Sequence, residues 1–206
     1  NASAGSNTID TGSGRDEINL TGGTNGVDTG SGVDQITISN GTNNVTAGSS
    51  NDIINISNGT NTINTDSGSD QVTVTGGTNT INTGNDSDTV TLGGVDTVNT
   101  GSGNDTVEAG ATLTTADTVD GGDGTDMIAS TVAITDALAA RLSNFEILDI
   151  KGGGGITHDV SDLTGLTSLE VSAALSGNVT ITDLAAAAEI DISVAIINDL
   201  TINQIN

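Results

Sequence analysis

The chain has 206 residues, with 27 acidic side chains against three basic ones, a formal charge of -24, one Phe, one Met, and no Trp, Tyr, Cys or Pro. At 33% hydrophobic content with almost no large side chains, it cannot fill a conventional globular core. Nucleic acid and anionic membrane surfaces are excluded as partners because phosphate binding needs Lys and Arg, and the absence of cysteine excludes disulfides and thiolate metal sites.

No run approaches the roughly 18 apolar residues of a membrane helix, and no charged-then-apolar signal opens the chain. The sequence starts in mid-repeat at Asn1 and stops just after a strand-like stretch, so a piece of a longer exported protein is expected.

Residues 11–91 divide without a gap into nine nonamers, from TGSGRDEIN to TGNDSDTVT, preceded by a weaker copy, ASAGSNTID. The frame slips through the octamer LGGVDTVN, recovers at TGSGNDTVE (100–108), passes a longer insert and returns at GGDGTDMIA (121–129). Position 8 of each unit is apolar. Position 6 alternates between Asp16, Asp34, Asp52, Asp70, Asp88 and Asn25, Asn43, Asn61, Asn79, so the true period is 18. Such a period predicts an all-β, parallel β-roll or β-solenoid whose turns each hold two short strands and two glycine-rich bends, with every Asp bend on one edge and every Asn bend on the other.

Alternating apolar pairs follow each Asp bend, as in Ile36/Ile38 and Ile54/Ile56, and both members point inward at a period of two. After each Asn bend one large residue is followed by Thr or Ala, as in Val45/Ala47 and Ile63/Thr65, so large faces small across a thin core. Burying one such side chain stabilises by about 1.5–3 kcal/mol, against roughly 1–2 kcal/mol of backbone entropy for each residue fixed. Hydrophobic burial alone does not hold the roll.

Turns stacked ~4.8 Å apart would line up the aspartates as a column of like charges, and neighbours would repel by on the order of 1 kcal/mol in water and more in the protein. A calcium ion bonds oxygen at about 2.3–2.6 Å and so spans close to one stacking step. Glycines in the same bends let carbonyl oxygens turn toward the ion. Zinc lacks its usual ligands, since there is no Cys and the one His, His158, lies outside the repeats.

The bends GSGRD, GSGVD, SGSDQ, GSGNDTV and GGDGTDMI resemble the GGxGxDxUx nonapeptide of the RTX (repeats-in-toxin) proteins over residues 2–129. The resemblance implies a right-handed parallel β-roll, several Ca2+ ions, folding triggered by calcium after export, and type I secretion from a Gram-negative bacterium. It places Asp16, Asp34, Asp52, Asp70, Asp88, Asp105 and Asp126 at ligand positions, with carbonyls from Gly12, Gly14, Gly30, Gly32, Gly101 and Gly103. The sequence departs from the family on its second edge, where the neutral Asn residues predict a hydrogen-bonded ladder in place of metal. Asp96 and Asp117 return to that edge later and are further candidate ligands.

From residue 130 the composition turns to Ala, Leu and Ile, so the chain divides into a repeat region, 1–129, and an Ala/Leu/Ile-rich region, 130–206, which continues the roll as a wider solenoid. TDALAARLSN predicts a short helix near 135–143 capped by Thr135 or Asp136. FEILDI, SLEVSA, NVTITDL, EIDISV and DLTINQ predict strands, and the region resembles, more loosely, segments that follow RTX repeats in bacterial surface-layer proteins.

No catalytic arrangement stands out. His158 beside Asp159 is read as an ordinary exposed histidine rather than part of a Ser-His-Asp triad, and Glu146, Asp149 and Glu170 as solvated strand faces. The expectation is a non-enzymatic, calcium-binding component of an extracellular layer or filament that associates with its own kind, with a cell-surface polysaccharide as a further candidate partner. The alternatives are a secretion and folding module of a larger exoenzyme or adhesin, and ice binding through the outward row Thr24, Thr42, Thr60, Thr78, which the mixture of Thr with Asn, Gln and Glu at other outer positions disfavours.

Overall fold

A computed structural model describes residues 5–193 and 200–205. They form the expected parallel β-solenoid. One sheet runs through Ser6–Asp10, Thr24–Asp28, Thr42–Thr46, Thr60–Asn64, Thr78–Asn85, Val95–Gly103, Thr118–Asp120 and Leu142–Ser143, with Asp123–Gly124 beside Val95–Gly103. A ten-stranded sheet faces it, running from Glu17–Thr21 through Gln35–Ser39 and Ile53–Ser57 to Glu189–Ile192. A third sheet of three strands, Ile156–Asp159, Val179–Ala185 and Leu200–Ile205, belongs to the second half.

Register is fixed by the repeat. Ile18 stands on Ile36, Ile36 on Ile54, Ile54 on Val72 and Val72 on Val90, so like residues stack through five turns. A slip of one residue would turn this row to solvent, and the alternation of buried and exposed positions along each strand prevents it. A single cluster of buried apolar side chains extends from Ile18 to Leu184. Both the ten-stranded sheet and this core pass residue 130 without a break.

The small partners on the opposite strands have a role of their own. Thr29, Thr65 and Thr83 are fully buried, and each hydroxyl donates to a carbonyl one turn on: Thr29 to Ala47 at 3.0 Å, Thr65 to Thr83 at 2.9 Å and Thr83 to Thr100 at 2.9 Å. A buried hydroxyl needs such a partner. Threonine thus fills the thin side of the core and ties neighbouring turns together.

The two kinds of bend differ in build. On the Asn edge the strands are joined by two successive left-handed residues, such as Asn40 (φ 63) and Gly41 (φ 91), a pattern suited to Asn-Gly. The Asp edge has a longer bend in which left-handed residues alternate with one that is not, as in Gly30 (φ 86) and Gly32 (φ 125) around Ser31. A Cβ at Gly32 would overlap the Gly14 carbonyl oxygen one turn below, so glycine is required there for space as well as for conformation. The central residues Ser13, Ser31, Ser49, Ser67 and Asn85 pair in turn, which carries the stacking through the bends.

After the repeats the step lengthens. Asp105 is joined to Asp126 across 21 residues, and His158, which pairs with Ile181 in the third sheet, marks a wider turn. The expected helix is cut to one turn, Asp136–Ala139, and the Thr135 side chain makes no capping hydrogen bond. Leu142–Ser143 instead join the first sheet opposite Val119 and Asp120, since pairing an open sheet edge outweighs extending a short isolated helix. The predicted strands of the second half are present over Ile147–Lys151, Ser168–Ala173, Val179–Ala185, Glu189–Ile192 and Leu200–Ile205; Val194, Asp199 and the first residues of ASAGSNTID lie outside the described residues. No helix among the described residues is long and apolar enough to cross a membrane.

Candidate cation site

Each aspartate of the long bends stands immediately before a strand of the ten-stranded sheet, and the stacking of turns sets these residues in one column. From Asp34 onward, Oδ1 of each member accepts a backbone N–H from the turn before: Asp16 N–H donates to Asp34 at 2.8 Å, Asp34 to Asp52 at 2.7 Å, Asp52 to Asp70 at 2.7 Å, and so on through Asp88 and Asp105 to Asp126. From Asp34 to Asp126 the side chains are at most 2% exposed. Oδ2 of all seven, Asp16 included, is buried and has no hydrogen-bond partner.

This is an unusual arrangement, because buried polar atoms are nearly always satisfied and a buried charge without a partner is costly. Burial pushes the carboxyl of Asp52 up to about 6, with a further upward push from Asp70 and Asp34 and a downward pull from the Asp34 backbone. Burial likewise raises Asp88 to about 7 and Asp126 to about 6, and moves Asp70 and Asp105 upward. Burial thus holds these carboxyls toward the protonated form, and only positive charge beside the unpartnered oxygens would let the whole column ionise.

The donor set fits calcium. All available ligands are oxygens, and among the described residues no three His, Cys, Asp or Glu side chains gather at one point. A bound ion would therefore draw on carboxylates of successive turns and complete its shell of about six to eight oxygens from the backbone and water. The predicted glycines lie in these bends. The Gly12 and Gly30 carbonyls accept the Ser31 and Ser49 N–H at 3.0 and 2.9 Å, leaving one lone pair each. Gly14, Gly32, Gly101 and Gly103 supply left-handed backbone, with Gly101 stacked on Gly84.

Sequence reasoning missed the residue that ends the column. Glu146 Oε2 accepts the Asp126 N–H at 2.9 Å and so takes the next place in line; it is not a free strand-face carboxylate. The signal was obscured because Glu146 lies outside the nonamer frame and carries one methylene more than Asp. Asp149 is also not solvated: it is 2% exposed, accepts the Ser172 N–H and hydroxyl, and lies 3.8 Å from Lys151, which pairs with Glu108 at 2.7 Å. Glu170, half-buried beside Asp149 and Asp191, is raised by burial first and then by those two charges.

The opposite edge is neutral and satisfied. Asn7, Asn25, Asn43, Asn61 and Asn79 each pass an amide hydrogen to the next side-chain oxygen at 2.6–2.7 Å, ending on Asp96. The second amide hydrogen of Asn43 goes to the Asn40 carbonyl and that of Asn61 to Asn58, both at 3.1 Å. Asp96 and Asp117 continue this ladder. Asp96 accepts from Asn79 and from the Gly93 N–H, while Asp117 accepts from the Asp96 N–H and from the N–H and hydroxyl of Thr114. Both oxygens of each are thus occupied by protein donors, unlike those of the Asp column.

His158 is buried rather than exposed as expected, because its strand turns it into the core beside Ile181. Its Nδ1 accepts the Ile134 N–H at 3.2 Å, and burial lowers its pKa to about 4. The Asp159 carboxylate accepts the Ser161 N–H instead, so the two neighbours do not form a catalytic pair. No family model, curated protein or solved structure matches the chain.

Proposed function

We propose that the chain is a calcium-stiffened structural solenoid of the repeats-in-toxin kind, exported from a Gram-negative cell by type I secretion and assembled outside it with copies of itself into a surface layer or filament. The observation that carries this reading is the column of seven buried, unpartnered carboxylate oxygens. Without a cation the column opposes stacking of the turns; with calcium it joins them.

Extracellular calcium modules bind at about 10⁻⁴–10⁻³ M, so such a chain stays unfolded where calcium is scarce and folds where it is plentiful. The role is mechanical rather than catalytic, in keeping with a neutral, buried His158 whose Nδ1 is already engaged.

The test is a calcium titration of the chelated protein followed by circular dichroism, together with imaging of assemblies in EGTA. β-Structure that forms on adding calcium, and assemblies that dissolve in EGTA, are the expected results. A chain fully folded in EGTA, or a lattice that persists there, would overturn the reading.

A further inference from the structure

The carboxylate column does not stop with the nonamers. At each level the residue after the aspartate donates its N–H to the carbonyl of the aspartate one turn before: Ile53 to Asp34, Gln71 to Asp52 and Met127 to Asp105, each at 2.9 Å. Ile147 does the same to Asp126 at 3.0 Å, and Met127 pairs with Ile147 in the sheet, so Glu146 holds the level that follows Asp126. Its side chain completes the pattern. Oε2 accepts the Asp126 N–H at 2.9 Å, as Oδ1 of Asp126 accepts the Asp105 N–H at 2.8 Å.

Asp126 is 0% exposed, and its Oδ2 is buried without a partner. A fully buried oxygen left in this state points to a ligand. One turn beyond Glu146 the series ends. Ser168 pairs with Ile147, so Thr167 holds the next level; it brings no carboxylate, and its hydroxyl donates to the Glu146 carbonyl at 3.3 Å.

We propose that Glu146 is an eighth carboxylate ligand of the column and holds, with Asp126, a terminal calcium ion that fastens the repeat region to the Ala/Leu/Ile-rich region. The proposal rests on the calcium reading of the column. Seven aspartates form six successive pairs, and Glu146 with Asp126 makes a seventh. One carboxylate of this pair belongs to the last nonamer, and the other directly precedes the strand Ile147–Lys151. Backbone oxygens and water complete the shell of the ion. The strand after Glu146 therefore gains its full stability only when the column is loaded to its end.

Calcium binding by the whole chain tests this, with ions counted by calorimetric titration with calcium chloride and folding checked by circular dichroism in saturating calcium. Glu146→Gln removes the charge but keeps an oxygen for the Asp126 N–H, so the turn stays joined; it is expected to bind one ion fewer. Glu146→Asp supplies the carboxylate used at the other levels and is expected to bind the full number. Glu170→Gln, which removes an equal charge from the neighbouring strand Ser168–Ala173, is also expected to bind the full number. Hydrogen exchange gives a second readout: with calcium about tenfold above the Kd of this site, Ile147–Lys151 exchanges about tenfold faster in Glu146→Gln, while Gln35–Ser39 is unchanged. A full count or unchanged exchange in Glu146→Gln, or a deficit in Glu146→Asp or Glu170→Gln, overturns this proposal and leaves the aspartate column standing. A natural protein that takes up no calcium overturns the reading of the column itself.

Discussion

The two edges of the solenoid solve the same stacking problem with opposite chemistry. On the Asn edge an amide both donates and accepts, so each side chain satisfies the next and the last ends on Asp96. On the Asp edge a carboxylate only accepts, so one oxygen takes a backbone N–H and the other finds nothing. The change from amide to carboxylate separates a self-sufficient edge from one that depends on its solvent. One side of the fold thus satisfies its own polar groups, and the other leaves one oxygen of each carboxyl without a partner.

Removing calcium is the strongest way to break the contrast. On the proposed reading, a site filled a hundredfold above its Kd contributes about 2.7 kcal/mol, and the proposed sites lie in series. As EGTA draws calcium off in steps, hydrogen exchange is expected to rise first at the Asp bends, around Gly30–Asp34, and last in the strand around Asn43. Equal loss of protection on both edges would show that the edges are not distinct.

Next in size is Asn43→Asp, which transfers the chemistry of one edge to the other. It removes the donors to Asn61 and Asn40 and buries an uncompensated charge, at a cost of about 3–5 kcal/mol. Urea unfolding in saturating calcium at neutral pH measures it, and calcium is not expected to rescue the loss.

Acid offers a third test, with chelator present throughout. Carboxyls whose folded pKa lies above the unfolded value of about 3.9 favour the folded state most below that value, and lose this contribution as pH rises through the folded pKa. The calcium-free solenoid therefore loses stability as pH rises from about 4 through about 6 for Asp52 and Asp126 and about 7 for Asp88. His158 opposes the trend, since its depressed pKa of about 4 favours the folded state at higher pH. Thermal melts across this range with and without calcium separate the effects: bound calcium holds the carboxylates deprotonated and reverses the sign of the Asp contribution, while that of His158 remains.

The smallest effect compares strain in the two bends. Ser50 holds φ 87 on the Asp edge, where Ser50→Gly is expected to stabilise by about 1 kcal/mol. Asn58 holds φ 58 on the other edge, and because Asn tolerates this region, Asn58→Gly is expected to change the melting temperature little.

Where the sequence is strictly periodic, it was informative. An 18-residue repeat assigns each side chain of residues 11–91 to core, face or edge, because stacking copies one turn onto the next. Physical reasoning lost this guide where the period stretches. Glu146 sits a longer step beyond Asp126, so its place at the end of the column could not be read from spacing. His158 and Asp149 looked solvated because wider turns bury faces that short turns expose. The helix was overestimated for a related reason: Leu142 has good helical spacing, but the open edge beside Val119 captures it. The buried threonine hydroxyls were read only as small volumes, since their partners lie one turn away rather than in the local sequence.

The difference between the edges also sets the unit by which such a molecule can grow. Removing one nonamer would shift every later turn by half a circuit and set amides upon carboxylates along both sides. Removing two would shorten the rod and leave both columns whole. A single missing residue, as at LGGVDTVN, is absorbed in a bend, where Asn79 still reaches Asp96 across 17 positions. Length in this architecture is therefore free to vary in whole turns, while the parity of the nonamers is not.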